Sequence, residues 1–124
     1  MIKREDDMST ITIYHNPKCS KSRETLALLK QHGIEPHVVL YLDNPPSVST
    51  LTTLLKQLGF DSARSLMRTK EDAYQALNLN DQTLTQAQLL AAMHDNPKLI
   101  ERPIVVANGQ ARIGRPPESV LDII

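Results

Sequence analysis

The amino-acid sequence predicts an α/β fold: a mixed four-stranded sheet laid out as βαβ, a helical insert, then ββα. Three observations predict it. Two short apolar runs, Ile11–Tyr14 and Pro36–Leu42, bracket a helical pattern, the mark of a βαβ unit with parallel pairing. Two further runs, Ile104–Ala107 and Ala111–Ile113, are separated by Asn108-Gly109, the strongest short signal for an antiparallel hairpin. The stretch between these halves reads as helix throughout. At 124 residues, 40% of them hydrophobic, the chain is large enough to bury one core and too small for two ordinary domains.

Each element has a local reason. Ile11-Thr12-Ile13-Tyr14 alternates and is β-branched, as a strand is, and His15-Asn16-Pro17-Lys18 breaks it. A helix begins at Ser20, with Leu26, Leu28 and Leu29 apolar, and His32-Gly33 ends it, since Gly suits the left-handed position past a C-terminus. Val38-Val39-Leu40-Tyr41-Leu42 is almost continuously apolar, which predicts a strand buried on both faces. Asn44-Pro45-Pro46-Ser47 leads into a helix with Leu51, Leu54, Leu55 and Leu58 at i, i+3, i+4 and i+7, stopped by Gly59. Asp61-Ser62 caps a short helix carrying Arg64, Leu66, Met67 and Arg68. Glu71–Leu77 is expected to be helical. Thr85 and Gln88 form a capping box before Leu89, Leu90 and Met93, and Asn96-Pro97 breaks that helix. Arg102-Pro103 opens the third strand. Gly114-Arg115-Pro116-Pro117-Glu118 leads from the fourth strand into a last helix with Val120, Leu121 and Ile124 apolar. This order is that of thioredoxin-like domains. The charged residues 1–8 read as a flexible N-terminal extension, with Met8 a possible alternative start, and 9–124 as one domain.

Composition narrows the function. Lys plus Arg is 14 and Asp plus Glu is 14, so the formal net charge is zero and a basic coat for nucleic acid is not expected. No apolar run approaches the ~20 residues of a membrane span, and no apolar h-region follows the charged start. Cys19 is the only cysteine, which excludes an intrachain disulfide and makes a reducing, cytoplasmic setting the expectation.

Cys19 follows a strand and a turn and directly precedes a helix. Unpaired backbone N–H groups and the positive end of the helix dipole lie at such a position, where a thiol loses its proton more readily and an oxyanion is favoured. Lys18, Lys21 and Arg23 add cations, and polar neighbours argue against an inert cysteine in an apolar core. Two familiar anion loops are excluded. A Cys-x5-Arg loop needs Arg at position 25, which is Thr25, and no Gly-rich phosphate loop is present. His15, His32, His37 and His94 have no metal-ligand spacing, so no metal is expected. His15, four residues before Cys19, either lies beside the thiol and orients its loop or is a surface or capping histidine.

Arg102 precedes Pro103 at a strand start and Arg115 precedes Pro116 just after the last strand. In a thioredoxin-like strand order both loops approach the Cys19 end of the sheet, and the Arg102-Pro103 bond is expected to be cis and beside Cys19. Guanidinium groups bind tetrahedral oxyanions bidentately, so Arg68, Arg102 and Arg115 are anion-binding candidates.

These residues resemble a known family. His15-Asn16-Pro17-Lys18-Cys19-Ser20-Lys21-Ser22-Arg23 is similar to the His-Asn-Pro-x-Cys-x-x-Ser-Arg signature of glutaredoxin-dependent arsenate reductases. Leu40–Pro46, Glu101–Val106 and Gly114-Arg115-Pro116 resemble that family's later blocks, so the likeness runs from about Thr10 to the C-terminus and is nearest to chromosomal members. The resemblance implies that Cys19 is the nucleophile, that His15 supports it, and that Arg68, Arg102 and Arg115 bind the oxyanion. Ser22, Arg23 and Pro103 take supporting places. Position 114 is Gly114, where some members carry a second Cys, and the longer C-terminal tail of the plasmid-borne members has no counterpart after Ile124.

The implied chemistry is attack of the Cys19 thiolate on arsenic with the arginines neutralising the oxygens. Ser22 stands where a dithiol redox protein has its resolving Cys. Glutathione, as external reductant, and glutaredoxin are therefore the expected partners, with a small oxyanion as substrate. No bound cofactor, nucleic acid or membrane is expected. Two alternatives come from other classes. One is a redox-responsive transcription regulator of the same superfamily that binds RNA polymerase, against which stand the full His15, Cys19 and Arg115 set and the missing Cys-x-x-Cys. The other is a monothiol glutaredoxin-like oxidoreductase, against which stands the arginine cluster.

Overall fold

The computed structural model describes residues 10–124, and the extension expected over residues 1–8 lies outside them. The described chain forms two compact units: residues 10–40 with Arg102–Ile124, and Tyr41–Glu101.

The first unit holds the whole sheet. Its elements are β1 (Thr12–His15), α1 (Ser20–Gln31), β2 (His37–Leu40), β3 (Ile104–Ala107), β4 (Gln110–Ile113) and a 3₁₀ segment, Pro117–Asp122. The strand order is β2-β1-β3-β4. β1 runs parallel to β2, with Ile13 opposite Val38 and His15 opposite Leu40. It runs antiparallel to β3, which pairs antiparallel with β4, so the sheet is mixed as expected. Alternation along β1 turns Ile13 into a core with Leu29 of α1, Val105 of β3 and Val120, all fully buried. Each such side chain contributes about 1.5–3 kcal/mol by leaving water. Asn108 and Gly109 both have positive φ, 54° and 77°, as the tight turn between β3 and β4 requires.

Two elements differ from expectation. β2 is an edge strand of four residues, with Val38 39% and Leu40 38% exposed, and not a strand buried on both faces. A continuous apolar run does not distinguish a central strand from an edge one. The expected last helix is a 3₁₀ segment closed by bonds such as Ser119 N–H to Pro116 O at 3.0 Å. Pro116 and Pro117 bring no N–H groups to its start, and six residues hold only tight i→i+3 turns.

The second unit is helical: α2 (Val48–Leu58), a 3₁₀ turn Ala63–Leu66, α3 (Asp72–Ala76), α4 (Gln86–Asp95) and a 3₁₀ turn Pro97–Leu99. Ser47 Oγ caps α2 by accepting the Thr50 N–H at 3.1 Å, and Leu51, Leu54 and Leu55 are its buried face. The Thr85–Gln88 capping box starts α4, which buries Leu89, Leu90 and Met93. The short helix after Ser62 stops at Leu66, before Met67 and Arg68. Met67 is extended and bridges Ile100, and the Arg68 N–H donates to Leu99 O at 2.7 Å. Arg68 therefore sits on a strand-like contact and not on a helix. Among the described residues no helix is long and apolar enough to cross a membrane.

Candidate active site

The turn between β1 and α1 is built by its own side chains. The Cys19 N–H donates to Asn16 O at 3.0 Å and the Lys18 N–H to Asn16 Oδ1 at 3.0 Å. The Arg23 guanidinium reaches back from α1, its Nη1 donating to Pro17 O at 2.9 Å. These bonds close the loop and leave Cys19 as the N-cap residue of α1, with extended backbone (φ −99°, ψ 124°) and its carbonyl accepting from the Arg23 N–H.

Ser22, fully buried one turn into α1, joins the loop to the sheet. Its Oγ accepts the Asn16 N–H at 3.0 Å and lies 2.6 Å from His15 Nδ1 at the end of β1. His15 is itself buried. Burial holds its pKa below the ordinary 6.5, helped by the positive charges of Arg23 and Lys30. The His15–Ser22 bond runs in the direction the imidazole tautomer sets, and the Ser22 hydroxyl, one donor with two acceptor lone pairs, serves either tautomer while it accepts from Asn16. Of the two roles open to His15 in the sequence, the structure places it on Ser22, holding the loop.

The Cys19 side chain is 9% exposed, yet its surroundings are polar. Burial pushes the thiol up from 9.0. Against it act the Ser22 backbone N–H, the charge of Arg102, the Lys21 backbone N–H and a hydrogen bond from the Arg102 side chain, and the balance lies below 9.0. Arg115 adds Nη2 at 3.6 Å from Sγ. The lowered pKa expected from the helix start is present, but its charge comes from Arg102. Of the cations to which the sequence pointed, Lys21 pairs with Glu24 at 3.6 Å and Arg23 donates to Pro17 O.

Arg102 and Arg115 meet because they flank the β3–β4 hairpin. Arg115 Nε donates to Arg102 O at 2.8 Å, and the Gly114 N–H to Pro103 O at 2.9 Å, one step past the last paired residues of the ladder. The Arg102-Pro103 peptide is cis, as expected, and so is Arg115-Pro116, which the sequence did not announce. Gly114 is packed tightly. A Cβ there would run into Thr25 Oγ1 and come within 2.9 Å of Pro103 Cγ. Thr25 is fully buried on α1 and donates to Lys21 O at 2.8 Å. This close approach between α1 and the hairpin's open end was missed in the sequence, where its one signal is the Gly before Arg115.

The structure thus brings Cys19, His15, Ser22, Arg23, Arg102, Pro103 and Arg115 together in one unit. Arg68 belongs to the other, where its Nη1 donates to Glu71 Oε2 at 2.5 Å. Among the described residues no group of three or more His, Cys, Asp or Glu side chains is placed to hold a metal ion.

The sequence profile of the ArsC family matches residues 14–123. YfgD of Escherichia coli (strain K12), a protein of uncharacterized function, is 66% identical over 114 residues, covering 92% of this chain and 96% of its own. A Haemophilus influenzae arsenate reductase is 52% identical over 115 residues, covering 93% and 99%. The solved structure of an arsenate reductase from Vibrio cholerae matches with a TM-score of 0.92 and 59% identity, covering 94% of this chain and 98% of that one.

Proposed function

The chain belongs to the ArsC family, and from that premise we propose that it reduces arsenate to arsenite through Cys19, with glutathione and glutaredoxin supplying the electrons. The observation that carries this reading is the donor set on one sulfur: the Ser22 and Lys21 N–H groups, Arg102, and Arg115 Nη2 at 3.6 Å. Such a set stabilises a thiolate, and once the thiolate has attacked, the same donors face the anionic oxygens of what it attacked.

In this scheme the Cys19 thiolate forms a bond to arsenic and one arsenate oxygen leaves as water. A glutathione thiolate then forms a disulfide with the Cys19 sulfur, the arsenic–sulfur bond breaks, and its electron pair stays on arsenic, which departs as arsenite. Glutaredoxin takes the glutathione from Cys19 by thiol–disulfide exchange and restores the thiolate. One arsenate and two thiols give one arsenite, one disulfide and one water. Arg102 and Arg115 bind the oxyanion, and Arg68 joins them by its match to the family's third arginine. His15 acts through Ser22 by holding the loop, with Arg23 and Pro103 fixing the loop and the hairpin end beside it. No resident cofactor enters the scheme, and a glutathione-rich cytoplasm is its setting.

The test is arsenate-dependent NADPH oxidation in the presence of glutathione, glutaredoxin and glutathione reductase. Oxidation should require all components and vanish in Cys19→Ser. Oxidation that proceeds at the same rate without arsenate would move the monothiol oxidoreductase reading ahead.

A further inference from the structure

Cys19 is the only cysteine of the chain, so any second sulfur that reacts with it arrives from outside. The approach has a one-sided charge. The Asn16–Cys19 turn carries exposed Lys18, and exposed Arg23 lays its guanidinium on the Pro17 carbonyl at 2.9 Å, directly beside Lys18. Among the described residues neither Lys18 nor Arg23 makes an ion pair with an acid. The one acid at this end of α1, Glu24, is paired with Lys21, and with Glu118 it lines a separate cleft along Ala27, Leu28 and Pro117. Exposed Lys18 and Arg23 thus share the cysteine turn, while Glu24 and Glu118 lie along the cleft on the helix flank.

We propose that Lys18 and Arg23 form a docking subsite for the carboxylates of an anionic thiol co-substrate, of the class of glutathione, separate from the arginines that hold the oxyanion. This rests on the reading of Cys19 as the reactive thiol. Glutathione carries two carboxylates and one ammonium, net charge −1, so its carboxylates find cations at the rim while its sulfur faces Sγ. Arg23 is held in place before the ligand arrives, which lowers the ordering cost of binding. Lys18 is a mobile point charge that adapts to the second carboxylate.

The experiment uses the full chain and no arsenate, so its outcome is independent of the reductase reading. Ellman's reagent converts Cys19 to its thionitrobenzoate disulfide. An attacking thiolate bonds to the Cys19 sulfur, the old disulfide bond breaks, and coloured thionitrobenzoate thiolate leaves with the electron pair. Rates are compared for glutathione (anionic), mercaptoethanol (neutral) and cysteamine (cationic), each relative to its rate on the same adduct of free cysteine, which removes differences in intrinsic thiol reactivity. Wild type should favour glutathione over cysteamine beyond the free-cysteine ratio, and added salt should shrink the preference. Lys18→Gln and Arg23→Gln should each cut it by about two- to fivefold, as exposed charge pairs do. Lys18→Glu, which leaves the Arg23 loop bond alone, should lower it further while the mercaptoethanol rate stays as in wild type. A glutathione-to-cysteamine ratio equal to that of free cysteine, or one unchanged in Lys18→Glu, overturns the proposal.

Discussion

Arg115 Nε donates to the main-chain carbonyl of Arg102 at 2.8 Å, while Nη2 of the same guanidinium lies 3.6 Å from Cys19 Sγ. One side chain thus braces two loops against each other and faces the sulfur. Loss of either arginine removes more than a charge, and the predictions below separate these effects.

Cys19 should alkylate with a midpoint below the ordinary thiol value, because the Ser22 and Lys21 N–H groups and Arg102 outweigh burial. Iodoacetamide rates against pH check this. Arg102→Ala should move the midpoint up. The thiol binds its proton less tightly in the folded chain than in the unfolded one, so this group's stabilising contribution is complete above 9.0 and fades as pH falls through the folded midpoint.

His15 should titrate below 6.5 by NMR, since burial and the charges of Arg23 and Lys30 oppose its protonation. Between the folded pKa and 6.5 the unfolded chain binds more protons than the folded one. Stability should therefore rise with pH through that window and be lost as pH falls through it. Denaturant midpoints in wild type and His15→Asn, measured on either side of pH 6.5, give the comparison.

Ser22→Ala leaves the Asn16 N–H and His15 Nδ1 without their hydroxyl partner. One buried and one half-buried polar group lose a bond each, and the expected destabilisation is about 1–3 kcal/mol by urea unfolding. The Cys19 alkylation profile should shift as well, because the Ser22 backbone N–H rides on the same turn.

Gly114→Val puts a branched Cβ against Thr25 Oγ1 and Pro103 Cγ. Overpacking of this kind costs about 1–3 kcal/mol. Thr25→Ala in the same chain should recover part of the loss, since it removes the colliding atoms. If the two changes add without recovery, the clash is not with Thr25.

Oxyanion protection of Cys19 against alkylation measures the arginines. Arg68→Ala, Arg102→Ala and Arg115→Ala should each weaken arsenate protection by roughly ten- to a hundredfold, the worth of one charged hydrogen bond. Lys in each place should fall between wild type and Ala, keeping charge without the planar fork. Arg112→Ala, whose guanidinium bonds Ala111 O on β4, should change little.

The elements with strong local grammar were readable before the structure. The Asn108-Gly109 turn, the Gly59 stop and the Thr85–Gln88 box each draw on chemistry contained in a few consecutive residues. Cys19 at a helix start was readable for the same reason. What escaped depends on neighbours distant in sequence. Whether Val38 and Leu40 lie inside or at an edge follows from strand order, which an apolar run does not encode. That the charge acting on the thiol is Arg102's, and not that of Lys18 or Lys21, follows from the β3–β4 hairpin, whose open end carries Arg102 to the Cys19 turn. The Met67–Ile100 bridge that takes Arg68 off its helix is likewise a pairing across many residues.

The β3–β4 hairpin works as a caliper. Its jaws are Arg102 and Arg115, and its pivot is Asn108-Gly109 at the opposite end of the sheet. The gap between the jaws is set by counting residues from the pivot, four on each strand. A residue inserted at the turn would slide one jaw past the other and turn alternate side chains to the opposite face, presenting Gly114 or Pro116 where Arg115 belongs. The anion-facing geometry is therefore encoded in part where no anion comes, and the length of that distant turn is as much a property of the site as the arginines themselves.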